Sequence, residues 1–194
     1  MLPQSSLSST QPNLEEWRTV QHFLNQCRPN TQEALDFPNA LAFCKKIRDG
    51  DILCKLLQRA FFYQSGGETA WVKLCEKYHR AWPGYHQIKN EFSDSLIEYN
   101  AEMFLTVCAK ELPLKSNVPA KILFRADELR AMIDMHGVFK VLAYLSNQEF
   151  FKQAFPKATP FKIAKRSSYD PAQMNHFERN AIGSVYSDIP SFDP

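Results

Sequence analysis

The feature that most constrains this chain is the stretch Ile47-Arg48-Asp49-Gly50-Asp51-Ile52-Leu53-Cys54-Lys55-Leu56-Leu57, where one apolar helical pattern runs into a charged turn and a stronger one leaves it. Lys45, Lys46 and Arg48 precede Gly50. Cations suit the partial negative charge at a helix C-terminus, and glycine takes the left-handed conformation that closes one. Asp51 is then expected to cap the next helix. In that helix Ile52, Leu53, Leu56, Leu57, Ala60 and Phe61 recur at three- and four-residue spacing, a face more apolar than a surface helix needs. The pattern predicts a central buried helix in an all-α fold.

Upstream, Asn13 and Glu16 have the spacing of a capping box, and Leu14, Trp17, Val20, Leu24 and Cys27 form the inward face of a first helix. Pro38 and Asn39 open a second, with Leu41, Cys44 and Ile47 turned inward. Downstream, Gly66-Gly67 introduces Trp71, Leu74, Cys75, Tyr78 and Trp82 at helical spacing, broken by Pro83-Gly84. This amphipathic pattern packs on the domain as a lid or presents a sticky face to a partner. Packing is the favoured reading, because large exposed apolar patches are uncommon on soluble monomers. Ile88, Phe92, Leu96 and Tyr99 continue as a helical stretch toward Met103, Val107 and Cys108, and Pro113 stops it. Asp127 is expected to cap a helix carrying Leu129, Met132 and Ile133, ended by His136-Gly137. Val138, Val141, Leu142 and Leu145 make the last core helix, with Phe150, Phe151, Phe155 and Phe161 wrapping its end.

Charge and cysteine content exclude several classes. A net charge of +2 gives no reason to invoke a nucleic-acid partner. Five cysteines, at 27, 44, 54, 75 and 108, are odd in number and set in apolar helical patterns, so they read as reduced core thiols of a cytoplasmic protein. Residues 1–13, rich in Ser, Gln and Pro, read as a disordered leader, neither signal peptide nor membrane span. No Gly-rich phosphate loop, nucleophile elbow or CxxC pair occurs, so no catalytic residue, metal or cofactor is expected. Cys75 and His79 are one helical turn apart but lack a second pair to complete a metal site.

Beyond residue 162 the composition changes. Lys162, Lys165 and Arg166 form a small basic cluster, and Ser, Asp, Asn and Pro then dominate. A short helix over 171–182 would place Met174, Phe177, Ala181 and Ile182 on one side, a face too narrow to hold itself in water. Tyr169 and Tyr186 lie in polar stretches open to kinases.

Trp17 in a first helix, the Ile47–Leu57 turn and helix, and Asn100-Ala101-Glu102-Met103-Phe104-Leu105 followed by Cys108 together resemble a calponin-homology domain. Lys140 to Ser146, with Val141 and Leu145, resembles the last core helix of that fold. Asp49, Gly50, Leu53, Leu56, Leu57, Phe104 and Leu105 fall on its signature positions. Within the family, Cys27-Arg28 and Pro160-Phe161 look most like the N-terminal domain of Vav-type guanine nucleotide exchange factors. The resemblance covers 14–161 and treats 62–95 as an insertion. It implies a non-catalytic regulatory domain followed by a tyrosine-bearing linker, residues 162–194, that folds onto a downstream exchange domain of the same chain and blocks it. Phosphorylation of Tyr186, with Tyr169 a weaker match, would release the block, and Met174, Phe177 and Ile182 would supply the inhibitory helix. The phosphorylated linker would then meet phosphotyrosine-binding domains, and other domains would recruit the protein to membrane or cytoskeleton. The linker departs from the family in being only mildly acidic. The alternatives are an ordinary disordered spacer and, for the domain, a cytoskeletal adaptor that binds actin.

Overall fold

The computed structural model describes residues 16–29, 32–88 and 93–163. These residues are all-α and contain no strand. The helices are α1 (Glu16–Gln26), α2 (Ala40–Arg48), α3 (Asp51–Phe62), α4 (Gly67–Lys77), α5 (Asp94–Thr106), α6 (Ala126–Ala131), α7 (Met135–Ser146) and α8 (Glu149–Ala154). A π-helical turn, Val107–Glu111, extends α5, and a short 3₁₀ turn, Pro113–Lys115, follows it. All described residues fall in the first of two units, Met1–Ile163; the second, Ala164–Pro194, lies outside them.

Helix α3 packs against α2, α4, α5 and α8, the central place its apolar pattern predicts. Leu53, Leu57 and Ala60 are fully buried on it, and Leu56 and Phe61 nearly so. Cys54 completes the buried face, whereas Ile52 is half-buried at its margin. Helix α7 is apolar over most of its circumference, with only Lys140 exposed and Tyr144 half-buried. Val138, Phe139, Val141, Leu142 and Leu145 are all fully buried. Aromatic rings fill the space between the helices, with the Phe43 ring centroid 5.8 Å from that of Trp17 and 6.1 Å from that of Phe139.

Four expectations about helix ends and faces are corrected. Asp51 does not cap α3: Gly50 holds that position, and Asp51, inside the first turn, is buried against Lys46 and Lys55. Leu41 is 59% exposed, and Phe43 takes the inward place on α2. Asp127 lies within the first turn of α6, where Glu128 Oε2 accepts the Arg125 backbone N–H at 2.8 Å, and Met132 ends the helix with φ 55°. His136 and Gly137 begin α7 rather than ending α6, because Asp134 caps that helix by accepting the Gly137 N–H at 2.9 Å. Asn13 and Leu14 lie outside the described residues. Glu16 turns inward, its Oε2 3.1 Å from His136 Nδ1 across 120 residues of sequence, a partner no local pattern reveals.

Candidate functional site

The two segments that carry the family resemblance meet at one buried joint. Asn100 on α5 is wholly buried, and its Nδ2 donates to the carbonyls of Asp49 and His86, each at 2.8 Å. Its Oδ1 accepts the His86 N–H at 2.7 Å, while its own carbonyl accepts the Cys54 thiol at 3.2 Å. One side chain thus ties the α2–α3 turn to the segment around His86. The fit requires glycine at residue 50. Its φ is 73°, and a Cβ there would lie 2.8 Å from Asn100 Cβ.

Around the turn the charges are paired rather than poised for chemistry. Lys46 Nζ sits 2.8 Å from Asp49 Oδ2 and 3.4 Å from Asp51 Oδ1, and Lys55 Nζ lies 3.3 Å from Asp51 Oδ2. Burial works against the charge on Lys46, but the Asp49 and Asp51 carboxylates outweigh it and hold its pKa above the ordinary lysine value. Asp49 and Asp51 therefore serve as structural counter-ions.

The segment from Gly67 to Tyr85 packs as a lid on α3 and α5. Trp71 is fully buried edge-on to Phe61, with ring centroids 5.4 Å apart, and its indole N–H donates to the Pro83 carbonyl at 2.9 Å. Arg80 lies 3.8 Å over the Tyr99 ring and donates to the Tyr99 carbonyl at 2.5 Å. Glu111, on the π turn, accepts from Lys77 Nζ and from the Tyr78 hydroxyl, each at 2.6 Å. Tyr85 donates to Gln58 at 2.8 Å, pinning the return segment to α3. Helix α4 stops at Lys77, with His79 at φ 50°, so Trp82 lies beyond it. That second tryptophan is 54% exposed and stacks on the 41% exposed Phe62 at 6.3 Å. Residues 81–88 are not helical, contrary to the stretch expected through Ile88, and Phe92 lies outside the described residues.

The end of the described chain is stapled down. Asn147 Nδ2 donates to the Phe161 carbonyl at 3.0 Å, and Ser146 Oγ accepts the Phe161 N–H at 3.2 Å. Gln26 Oε1 accepts the Thr159 N–H at 2.9 Å, bringing the end of α1 to the same segment. Beside this staple an apolar cavity of about 390 Å³ lies between Ile122, Tyr144, Phe161 and Ile163.

Of the residues singled out in the sequence, Trp17, Gly50, Leu53, Leu56, Leu57, Phe104, Val141 and Leu145 are core or turn residues, Asp49 is a partner of Lys46, and Leu105 is half-buried. Tyr169, Met174, Phe177, Ile182 and Tyr186 lie outside the described residues. All five cysteines are buried free thiols. Among the described residues no three His, Cys, Asp or Glu side chains are grouped to hold a metal ion. No described helix is long and apolar enough to cross a membrane. Sequence reasoning missed Arg28 and Arg59, which border two shared cavities and have no carboxylate partner among the described residues. The available signal was a cation on an apolar central helix, and a Cys-Arg pair read only as a family mark. No family model, curated protein or solved structure matches this chain.

Proposed function

We propose that this chain is the regulatory module of a Vav-like Rho-family guanine nucleotide exchange factor, in which the helical domain braces a tyrosine-bearing linker against a downstream catalytic domain. The observation that carries the reading is the Gly50–Asn100 joint: the two sequence motifs behind the resemblance come together as one packed unit. A rooted linker also fits, because a brace must hold the start of the segment it controls, and Phe161 is bonded to Ser146 and Asn147. Linker phosphorylation would add roughly −1.5 to −2 charge at a tyrosine, enough to expel it from an apolar seat.

The test is nucleotide exchange by the parent protein with residues 1–194 present and deleted, without kinase. Faster exchange on deletion is expected, and Tyr186→Phe should keep the intact protein inhibited when a tyrosine kinase is added. An unchanged rate would sink the reading. The exposed Phe62–Trp82 stack favours a second one, an adaptor that presents an aromatic contact to a partner such as an actin filament. Filament pelleting with the 194-residue chain, lost on Trp82→Ser, would support that alternative.

A further inference from the structure

Arg28 and Arg59 form a cationic centre with no counter-ion among the described residues. Among the described residues neither guanidinium has a carboxylate within ion-pair distance, and Arg28 Nε–H is shielded from solvent with no hydrogen-bond partner among them. Arg59 donates to Gln32 Oε1 at 2.7 Å, a neutral acceptor that leaves its charge uncompensated. Burial first, and then the neighbouring Arg28 charge, pull the Arg59 pKa below its ordinary value. Holding like charges together costs stability, and arrangements that do so cluster at functional sites.

Both arginines line a concavity of about 380 Å³ between the ends of α1, α3 and α8. Lys157 adds a third cation, and no lining residue is acidic. Gln26 spends its oxygen on the Thr159 N–H, leaving its amide N–H groups as further donors. An aromatic wall completes the space: Tyr63, 66% exposed, stands edge-on to Phe155 with ring centroids 6.0 Å apart. The volume lies within the range of small-ligand pockets, roughly 300 to 1,000 Å³.

We infer that this concavity binds the phosphorylated tyrosine side chain of a peptide segment, with Arg28, Arg59 and Lys157 on the phosphoryl oxygens and the Tyr63–Phe155 wall against the ring. The guanidinium fork matches a phosphoryl group in a way a point charge does not, and the aromatic wall selects a phosphate carried on a ring. A membrane headgroup offers the same phosphoryl chemistry. Membrane recognition, however, draws on four to eight clustered cations, roughly, where this site has three within a concave wall. The site rests on described residues alone, while the choice of the Tyr186 segment as its occupant rests on the linker reading above.

The test uses the full 194-residue chain and a labelled synthetic peptide spanning residues 180–192, phosphorylated or not at Tyr186, followed by fluorescence anisotropy. Saturable binding of the phosphorylated peptide is expected, at least roughly tenfold tighter than the unphosphorylated one. Arg28→Gln and Arg59→Gln should each weaken it roughly tenfold to a hundredfold; Arg28→Gln should do so without lowering the thermal midpoint, because it relieves a repulsion, whereas Arg59→Gln also gives up the bond to Gln32. Arg28→Lys, which keeps the charge but loses the fork, should weaken binding and keeps the test decisive if Arg59→Gln folds poorly. Equal binding of both peptides, binding of neither, or undiminished binding by Arg28→Gln would overturn the inference. So would tighter binding to phosphatidylinositol-bisphosphate vesicles that the phosphopeptide fails to displace.

Discussion

Gly50 and Asn100 are in contact so close that the first has no room for a side chain and the second no freedom to move. A Cβ on Gly50 would fall 2.8 Å from Asn100 Cβ, and the left-handed φ of 73° adds its own demand for glycine. Gly50→Ala is expected to cost about 2 to 4 kcal/mol, from left-handed strain plus overpacking. Asn100→Ala removes the partner of three part-buried backbone groups, the Asp49 carbonyl and the His86 N–H and carbonyl, for roughly 1 to 3 kcal/mol. Urea unfolding of both variants checks this, and a loss under 1 kcal/mol, roughly, in either would mean the joint is looser than its geometry.

Trp71 and Trp82 should respond in opposite ways. Trp71→Ala empties a fully buried site and removes the bond to Pro83, at about 3 to 5 kcal/mol. Trp82→Ala, at a 54% exposed position, should stay within about 0.5 kcal/mol of the parent. Similar thermal midpoints for the two variants would contradict the lid.

Burial holds every thiol protonated in the native chain. It pushes Cys27 up to about 12 and Cys44 up to about 11, and raises Cys54, Cys75 and Cys108 as well. A thiol whose folded pKa lies above its unfolded value stabilises the fold at low pH and loses that contribution as pH rises. Stability should therefore decline as pH climbs past the ordinary thiol value of 9.0, where the unfolded chain begins to ionise. A disulfide-exchange reagent at neutral pH should label the native chain far more slowly than the urea-unfolded one. Rapid labelling of even one cysteine would identify a thiol that reaches solvent.

Glu111 sets the acid side. Burial disfavours its charge, but the hydrogen bonds from Lys77 and Tyr78 prevail and hold its pKa below the ordinary carboxylate value. Its contribution is present above the unfolded value of 4.5 and fades as pH falls through the lower folded one. Glu111→Gln should destabilise the domain at neutral pH, and the gap to the parent should close below about 4.5. A gap that stays constant across that range would remove the carboxylate from the acid response.

What the sequence made legible depends on how local each cause is. The faces of α3 and α7 were readable because an apolar stripe records burial at helical spacing, as Leu53, Leu57, Val141 and Leu145 do. Trp71 as a packed lid residue followed from the scarcity of exposed aromatic patches. Helix ends were read less well, because a glycine or an aspartate has several local uses and distant partners choose among them. Asp51 looked like a cap until two lysines claimed it, and His136 looked like a terminus until Glu16 met it. The cationic centre was invisible for the same reason, since Arg28 and Arg59 are 31 positions apart in the chain.

The staple at the end of the described chain has a mechanical consequence. A pull applied beyond Ile163 does not peel α8 from the surface first. It loads the Phe161 bonds to Ser146 and Asn147, and then the Thr159 bond to Gln26. Tension is thereby handed to the ends of α7 and α1, and a downstream tug reaches the middle of the fold as strain shared between two helices.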